Sequence, residues 1–453
     1  MTKMKLKKGY DIPLEGAPEA TVADGLKPTT VALCPPDFLG VKFRLLAREG
    51  DKVKLGSPLL QNKAREDHLF TSPAGGTVKA VVRGHRRALL GIIIEVDEKE
   101  AAETFTSYAA DKLSSLKRND VVSQLLKSGA INFFRERPFN YVANAEHTPR
   151  DIFISAFDTA PLAADQNLIL KGNEAAFQAG VDVCAALTTG QVHISCDGAA
   201  KDVPSAFAQA KNAQVHQFSG YHPAGVVGVQ IHHIKPVANR SDVVWHLSVQ
   251  NAILLGRLFL DGKIDPSITV AVAGSGATKR QYYKTRVGAE LSSVVHGNVI
   301  SGEVRHINGN VLTGSTVNAA GHLGFYNDLV TIIPEVVEPE FIGWMLPGFG
   351  KTSWFRGFAG KILGGKKFGQ STCLNGGHRA FVQNDIYEDV LPMDVMPIQL
   401  IKSCLYEDIE EMEQLGIYEV CEDEVALCEY ICPSKTGFQQ IIRRALDFVE
   451  KEG

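Results

Sequence analysis

The sequence has no apolar run long enough to cross a bilayer. Its best candidates, residues 88–94 and 252–260, are short and are interrupted by a glycine and by Arg257, whereas a spanning helix needs about 20 apolar residues. Residues 1–10 carry four lysines with no apolar stretch after them, so we expect no secretory signal. Any link to a membrane must therefore go through a partner or a surface contact.

The sequence also lacks a large excess of charge of one sign and a closely spaced set of cysteines. The 47 basic and 51 acidic side chains leave a formal net charge of −4, so no strong field favours nucleic acid and we expect no such partner. The eight cysteines are scattered through 453 residues, a pattern that favours a reducing cytoplasm over a disulfide scaffold. With 45% apolar and 22% charged residues, the composition is that of an ordinary soluble protein, and the length of 453 residues gives room for three or four domains, each with its own core. The order of predicted elements along the chain indicates a multidomain α/β protein.

The first predicted domain covers residues 1–105. Residues 48–60 and 72–81 alternate apolar and polar side chains between glycine and proline, which indicates short strands joined by tight turns. The pattern resembles the barrel-sandwich hybrid of biotinyl and lipoyl domains, where a lysine at a hairpin tip carries the prosthetic group. We expect the tip near Glu66, three residues after Lys63. A scaffold is therefore the favoured interpretation, and a carrier modified on Lys63 is the alternative.

The second predicted domain, residues 106–265, alternates short apolar runs with longer helical stretches. This rhythm predicts a Rossmann-like open α/β sheet. Two polar loops, residues 158–161 and 221–225, would lie at the ends of strands, where such sheets bind ligands. The predicted strands are residues 152–157 and 192–194, and the predicted helices are residues 172–186 and 243–259.

The remaining chain divides into two further predicted regions. Residues 266–335 pass from strand to helix to strand within a short length, which favours a small β-grasp module. Residues 336–453 are predicted to form a connecting region and a helical domain, acidic around residues 407–413.

Motifs for nucleotides and catalysis fail on their spacing. After the strand that ends at Ala273, the third glycine of a dinucleotide loop would fall on Lys279, and the first glycine of a P-loop ending in Thr352 would fall on Met345. His222, His232 and His233 match no known metal-ligand spacing, and no carboxylate lies close in sequence. We therefore predict neither a catalytic side chain nor a metal site.

The end of the chain resembles half of an iron–sulfur ligand run. Such clusters are held by C-x2-C-x2-C-x3-C-P, and Cys428, Cys432 and the following proline match its second half. The two earlier ligand positions are Val425 and Glu422, neither of which supplies a thiolate. We interpret Cys428 and Cys432 as vestigial ligands without a cluster.

Residues 129–139 place three phenylalanines and two arginines around a proline. Aromatic faces and guanidinium donors can hold a flat ring that bears carbonyl groups. The alternative is a helix end docked by its phenylalanines with the arginines at the surface.

Four segments together resemble the NqrA family, the A subunits of the sodium-translocating NADH:quinone reductase. That family is similar to the electron-entry subunit of the Rnf complex and to the FMN- and NADH-binding subunit of respiratory complex I. The resemblance implies the domain order barrel-sandwich hybrid, α/β domain, β-grasp module of the SLBB type and helical domain. The segments are residues 7–14, 222–225, 343–347 and 428–433.

The resemblance also implies which cofactors this chain lacks. Relatives that bind FMN use a loop of the form G-R-G-G-A-G-F-P, because glycine lets the backbone approach the nucleotide. Here residues 129–139 stand in its place with bulky side chains. We therefore expect no FMN and no iron–sulfur cluster in this chain, with NADH, flavin and iron–sulfur sites in other subunits. A flavin-containing NADH dehydrogenase subunit is the alternative.

The implied function is that of a peripheral subunit on the cytoplasmic face of the bacterial inner membrane. The complex oxidises NADH, reduces quinone and exports Na+, and this chain, inactive alone, docks on integral membrane subunits, with the B subunit of the complex the first expected partner. If quinone contacts this chain, the 129–139 segment and the loop at residues 33–40 are the expected places. The candidate residues are Phe133, Phe134, Arg135, Arg137, Pro138 and Phe139 with Pro35, Pro36 and Phe38.

Overall fold

The fold comprises four sheets followed by a helical C-terminal region. The computed structural model describes residues 2–200, 203–336, 340–343, 345–355, 357–363, 367–382 and 385–453. Strands β1 (Thr2–Lys5) and β2 (Val22–Asp24) come first, and each joins a sheet formed by residues much later in the chain. The N-terminal segment is thereby tied to two other regions of the molecule.

The N-terminal barrel consists of two small antiparallel sheets that enclose one apolar core. One sheet has the order β3-β9-β8-β5 and the other β4-β6-β7. Alternate residues point inwards, as the alternating sequence pattern predicts. The strands are β3 (Thr30–Leu33), β4 (Phe43–Leu45), β5 (Lys52–Val53), β6 (Pro58–Asn62), β7 (Arg65–Thr71), β8 (Gly76–Arg83) and β9 (Leu89–Val96).

The hairpin of β6 and β7 turns earlier than the sequence suggested. Asn62 pairs with Arg65, so exposed Lys63 and Ala64 form the tip, and the expectation of a tip near Glu66 is wrong. The strand register shifts between Gln61, which pairs with Leu69, and Asn62, which pairs with Arg65. The extra residues lie on β7, and they move the turn away from the midpoint of the hairpin.

A seven-stranded sheet forms the α/β domain, in the order β1-β14-β13-β12-β15-β10-β11. Its first five strands are parallel, and β10 and β11 complete it as antiparallel strands. The elements are α1 (Arg118–Ser128), β10 (Arg135–Arg137), β11 (Tyr141–Val142), β12 (Asp151–Ala156), α2 (Gln166–Leu170), α3 (Glu174–Leu187), β13 (Val192–Asp197), α4 (Ser205–Ala208), β14 (Gln214–Ser219), α5 (Val227–Ile234), β15 (Val244–Ser248) and α6 (Val249–Asp261).

One predicted helix of this domain is in fact two elements. Residues 243–259 comprise strand β15 and helix α6, separated at Ser248. The hydroxyl of Ser248 accepts a hydrogen bond from the amide of Asn251 and caps the helix. The strand is almost entirely buried, so it lacks the period-two alternation that would have distinguished it from the helix.

The third unit is a six-stranded sheet, and the fourth is a cluster of helices. The sheet has the order β19-β18-β20-β16-β17-β2, built from β16 (Ser267–Ala273), β17 (Tyr282–Arg286), β18 (Val304–Asn308), β19 (Ser315–Val317) and β20 (Leu329–Pro334), with α7 (Ser292–Val295) beside it. The C-terminal helices are α8 (Ala359–Leu363), α9 (Pro397–Tyr406), α10 (Ile409–Gln414), α11 (Glu422–Ile431) and α12 (Phe438–Glu452). Across the portion of the chain that the structure describes, no helix is both long and apolar enough to span a membrane.

Candidate functional site

A cavity lies where the barrel, the α/β domain and the third sheet meet. It contains about 570 Å³ of space between atoms, some of it open to solvent. The barrel contributes Phe38 and Phe70, the α/β domain contributes Phe133 and Leu258, and the third unit contributes Phe325. A junction of domains lined by aromatic and aliphatic side chains is a common setting for a small-molecule site.

Phe325 joins the two segments that the sequence singled out. Its ring centroid lies 4.9 Å from that of Phe38 and 5.8 Å from that of Phe133, with the second pair stacked. The amide of Phe325 donates a hydrogen bond of 2.8 Å to Oδ2 of Asp37, which fixes the loop at residues 33–40 against the third unit. Pro35 is buried beside this contact and Pro36 is exposed.

Polar side chains in the cavity wall already have protein partners. The hydroxyl of Thr71 donates to the carbonyl of Ser128 at 2.8 Å, and Nδ2 of Asn132 donates to the carbonyl of Leu69 at 3.1 Å. Oδ2 of Asp265 accepts a hydrogen bond from Arg257 at 3.0 Å. The cavity therefore offers mainly hydrocarbon surface to a ligand.

Arg135 and Tyr326 form a polar pair next to the cavity. The guanidinium carbon of Arg135 lies 4.2 Å from the centroid of the Tyr326 ring. The hydroxyl of Tyr326 donates a 2.8 Å hydrogen bond to the carbonyl of Asn132, and burial raises the pKa of this phenol. Because Tyr326 follows Phe325 directly, the Arg135 charge lies close to the aromatic wall.

Phe134 and the last three residues of the 129–139 segment lie away from the cavity. Phe134 is fully buried and packs against Trp245, with ring centroids 5.4 Å apart. Phe139 stacks on Tyr141 at 6.0 Å and lies beside the C-terminal helices. The structure thus brings Phe38, Phe133 and Arg135 together and places Phe134, Arg137, Pro138 and Phe139 elsewhere.

Arg137 takes part in a buried ion pair with Glu424. Two parallel hydrogen bonds of 3.0 and 2.8 Å join the guanidinium to the carboxylate, and both residues are buried. Oε2 of Glu424 also accepts from the amide of Cys421 at 2.7 Å, while the thiol of Cys421 donates to the carbonyl of Pro138 at 3.4 Å. These contacts fasten the end of the segment to helix α11.

The site of the vestigial ligands is filled by aromatic side chains. Tyr387 donates its hydroxyl to the sulfur of buried Cys432 at 3.1 Å, and its ring packs 5.0 Å from that of Phe438. Burial raises the pKa of the Cys428 thiol. Among the described residues, no group of three or more His, Cys, Asp or Glu side chains could hold a metal ion.

The glycine turn at Gly274 and the histidine at His232 make contacts that their sequence spacing could not predict. A side chain on Gly274 would overlap the backbone carbonyl of Ile332, so this glycine serves close packing between strands. A carboxylate that is distant in sequence lies against His232: Glu419, 187 residues further on, accepts a hydrogen bond from its ring at 2.6 Å.

The fold defines a multidomain α/β protein whose domains share one apolar cavity. The NqrA N-terminal barrel-sandwich hybrid domain matches residues 4–97, and the NqrA second alpha/beta domain matches residues 116–264. The NQRA C-terminal domain, of the SLBB type, matches residues 269–319. The fold class predicted from the sequence is therefore confirmed.

Curated relatives match the chain over its whole length. The A subunit of the Na(+)-translocating NADH-quinone reductase of Vibrio atlanticus is 38% identical over 449 residues, 99% of each chain. Its counterparts in Alcanivorax borkumensis and Yersinia pestis are 38% and 39% identical over 453 residues, 99% of this chain and 100% of theirs. The chain belongs to the NqrA family, and the resemblance stated from the sequence is confirmed.

Similarity to one solved structure of a hydrogenase is much weaker. The NAD+-reducing NiFe hydrogenase in its H2-reduced state has a TM-score of 0.40, with 11% identity over 77% of this chain and 64% of that chain. A similarity of this size supports no conclusion about function.

Proposed function

We propose that this chain is the peripheral NqrA component of a complex that oxidises NADH, reduces quinone to quinol and exports Na+. It lies on the cytoplasmic face of the bacterial inner membrane and docks on integral membrane subunits, the B subunit of the complex foremost. The proposal is supported by whole-length identity of 38–39% to relatives that carry the NqrA name. The eight free cysteines are consistent with a reducing compartment.

The chain binds neither FMN nor an iron–sulfur cluster in this proposal. The position of the glycine-rich loop is taken by a short helical turn and by strand β10. A side chain on Gly129 would meet the hydroxyl of Thr71 at 2.9 Å, so that glycine allows two domains to pack closely. The residues present therefore do not fit either group.

The apolar cavity is the proposed place for quinone. The observation that carries this assignment is that Phe325 unites Phe38 and Phe133 in one wall, although the two lie on different domains. Aromatic faces and an apolar lining fit a quinone ring or its prenyl chain, and Arg135 supplies a cation beside the aromatic wall. The chain's own contribution is to bind and orient the quinone and to keep water from it.

A photoreactive quinone analogue tests the assignment in the assembled complex. We expect labelled peptides from residues 33–40 and from the first half of residues 129–139. Phe133→Ala should reduce labelling several-fold, while Phe139→Ala, a matched aromatic outside the cavity, should leave it unchanged. Labelling that spares both segments would disprove the quinone assignment.

An absorption spectrum tests the proposal that cofactors are absent. Protein purified alone from its own host should be colourless and metal-free, with an unmodified mass. A flavin or iron–sulfur band would disprove it and favour the flavin-containing alternative, and a mass increment on Lys63 would favour the carrier.

A further inference from the structure

Half of the exposed large apolar side chains among the described residues lie in one region of the chain. Nine of the eighteen exposed large apolar residues among those described lie between Phe341 and Val382, which we call the basic apolar segment. Phe341 is 87% exposed, and Met345 and Phe349 are each 65% exposed. Monomeric soluble proteins rarely expose large apolar patches without a partner surface, so nine such side chains within 42 residues of sequence indicate a contact surface.

The same segment has charge of a single sign. Between residues 341 and 382 the sequence contains six lysines and arginines and no aspartate or glutamate. The chain as a whole is acidic, with a net charge of −4, so the basic residues are concentrated on a molecule that is otherwise more negative. This asymmetry would orient the molecule in front of an anionic surface.

Contacts at the base of the segment extend the basic region. The ring of Trp354 lies 5.1 Å from that of Tyr10, and Nζ of Lys361 donates to the Tyr10 hydroxyl at 2.9 Å. Lys7 and Lys8, both exposed, lie just before Tyr10 in the chain. The N-terminal lysines therefore adjoin the segment in the folded protein.

We propose that the basic apolar segment binds the anionic phospholipid surface of the membrane. Exposed Phe, Met and Ile side chains would enter the interface between headgroups and acyl chains. Exposed Lys367 and Arg379 would pair with phosphates, whereas Lys351 already pairs with Glu340. Most of the segment's described residues lie outside helices and strands, and an irregular backbone cannot enter the hydrocarbon layer, so insertion is shallow. The inference goes beyond the proposed function, because it holds whether or not the cavity takes quinone.

Charge also distinguishes lipid from a protein partner. A single sign maintained over the 42 residues from 341 to 382 matches a uniformly charged plane, whereas protein surfaces intersperse both signs. Anionic lipid attracts such a segment more strongly with each basic residue that lies near the surface.

Vesicle flotation of the purified full chain tests the proposal. The protein should float with vesicles of equal parts phosphatidylcholine and phosphatidylglycerol, and not with phosphatidylcholine alone. Salt at about 1 M, where the Debye length is about 3 Å, should release it. The double variant Phe341→Ser/Phe349→Ser should bind on the order of tenfold more weakly. The control Leu405→Ser/Tyr406→Ser removes two similarly exposed apolar residues beside acidic neighbours and should bind as the unmodified protein does.

Two results would overturn the inference. Equal flotation with both kinds of vesicle would remove the role of anionic lipid. Failure to float, combined with loss of assembly into the membrane complex in Phe341→Ser/Phe349→Ser, would assign the segment to a protein interface instead.

Discussion

The side chains of residues 129–139 form two groups with similar compositions and opposite surroundings. Phe133 and Arg135 lie beside the cavity, with open space or a ring face next to them. Phe134, Arg137 and Phe139 lie in a close-packed seam with the sheet and the C-terminal helices. Aromatic residues and arginines therefore do not by themselves identify a ligand site, because what each side chain meets depends on distant regions of the chain.

The largest effect should follow from breaking the ion pair in the seam. Arg137→Met leaves the buried Glu424 carboxylate without its charge partner, so we expect the free energy of unfolding to fall by about 3–5 kcal/mol. Urea denaturation measures the loss.

The control for this prediction is the arginine on the cavity side. Arg135→Met removes a half-buried cation that stacks on Tyr326 and should cost about 1 kcal/mol. The double variant Arg137→Met/Glu424→Leu should recover much of the stability lost in Arg137→Met, because no unpaired charge remains. Equal losses in the single and double variants would show that packing, and not charge pairing, dominates the seam.

Neighbouring phenylalanines sharpen the comparison. Phe134→Ala removes a fully buried ring that packs on Trp245 and should lower the free energy of unfolding by about 3–5 kcal/mol. Phe133→Ala removes a partly exposed ring beside existing space and should cost about 1–2 kcal/mol. Thermal or urea unfolding of both variants measures the difference, and equal losses would mean that the cavity side is packed as tightly as the seam.

The local sequence indicated individual segments of these sites. It could not indicate which distant residues those segments contact in the folded chain. Phe38 and Phe133 were predicted from their own segments, but Phe325, which lies between them in space, comes far later in the chain than either. Arg137 fitted the pattern of a ring-edge donor, and its partner Glu424 lies 287 residues away. No spacing rule connects such residues, because the domains that carry them meet only in the folded chain.

Elements were predicted best where one pattern dominated. The alternating strands of the barrel and the change to an α/β rhythm were visible from the sequence. The error at residues 243–259 arose because a buried strand and the following helix are both rich in apolar residues without a break between them. Ser248 was the available signal, since a serine before an apolar run is a common helix cap.

Two buried histidines, His246 in the seam and His68 in the barrel beside Asn132 of the cavity wall, should differ in how strongly they make stability sensitive to acid. Burial, with Arg137 close by, holds the pKa of His246 well below its usual value, while burial also lowers the pKa of His68 and its hydrogen bond to Asn132 opposes the shift. A histidine whose pKa is lowered on folding stabilises the protein above about pH 6.5, and this contribution is lost as the pH falls.

The substitutions His246→Gln and His68→Gln test that ranking. Between about pH 7 and pH 5 the unfolding free energy should fall less in His246→Gln than in the unmodified protein, and His68→Gln should reduce the fall by a smaller amount. Urea denaturation at the two pH values measures both. The ranking is wrong if His68→Gln has the larger effect.

The smallest effect concerns the vestigial cluster site in the seam. Tyr387→Phe deletes only the hydroxyl that donates to the Cys432 sulfur, so we expect a loss of about 0.5–1 kcal/mol in unfolding free energy. Cys428 and Cys432 should resist alkylation in both proteins, because burial keeps the two side chains from the reagent and the raised pKa of Cys428 keeps its thiol protonated. Incubation with iron and sulfide should produce no iron–sulfur absorption in either protein, since Glu422 and Val425 occupy the other ligand positions and aromatic rings fill the space. A cluster formed in Tyr387→Phe alone would show that the tyrosine hydroxyl, rather than the missing ligands, closes the site.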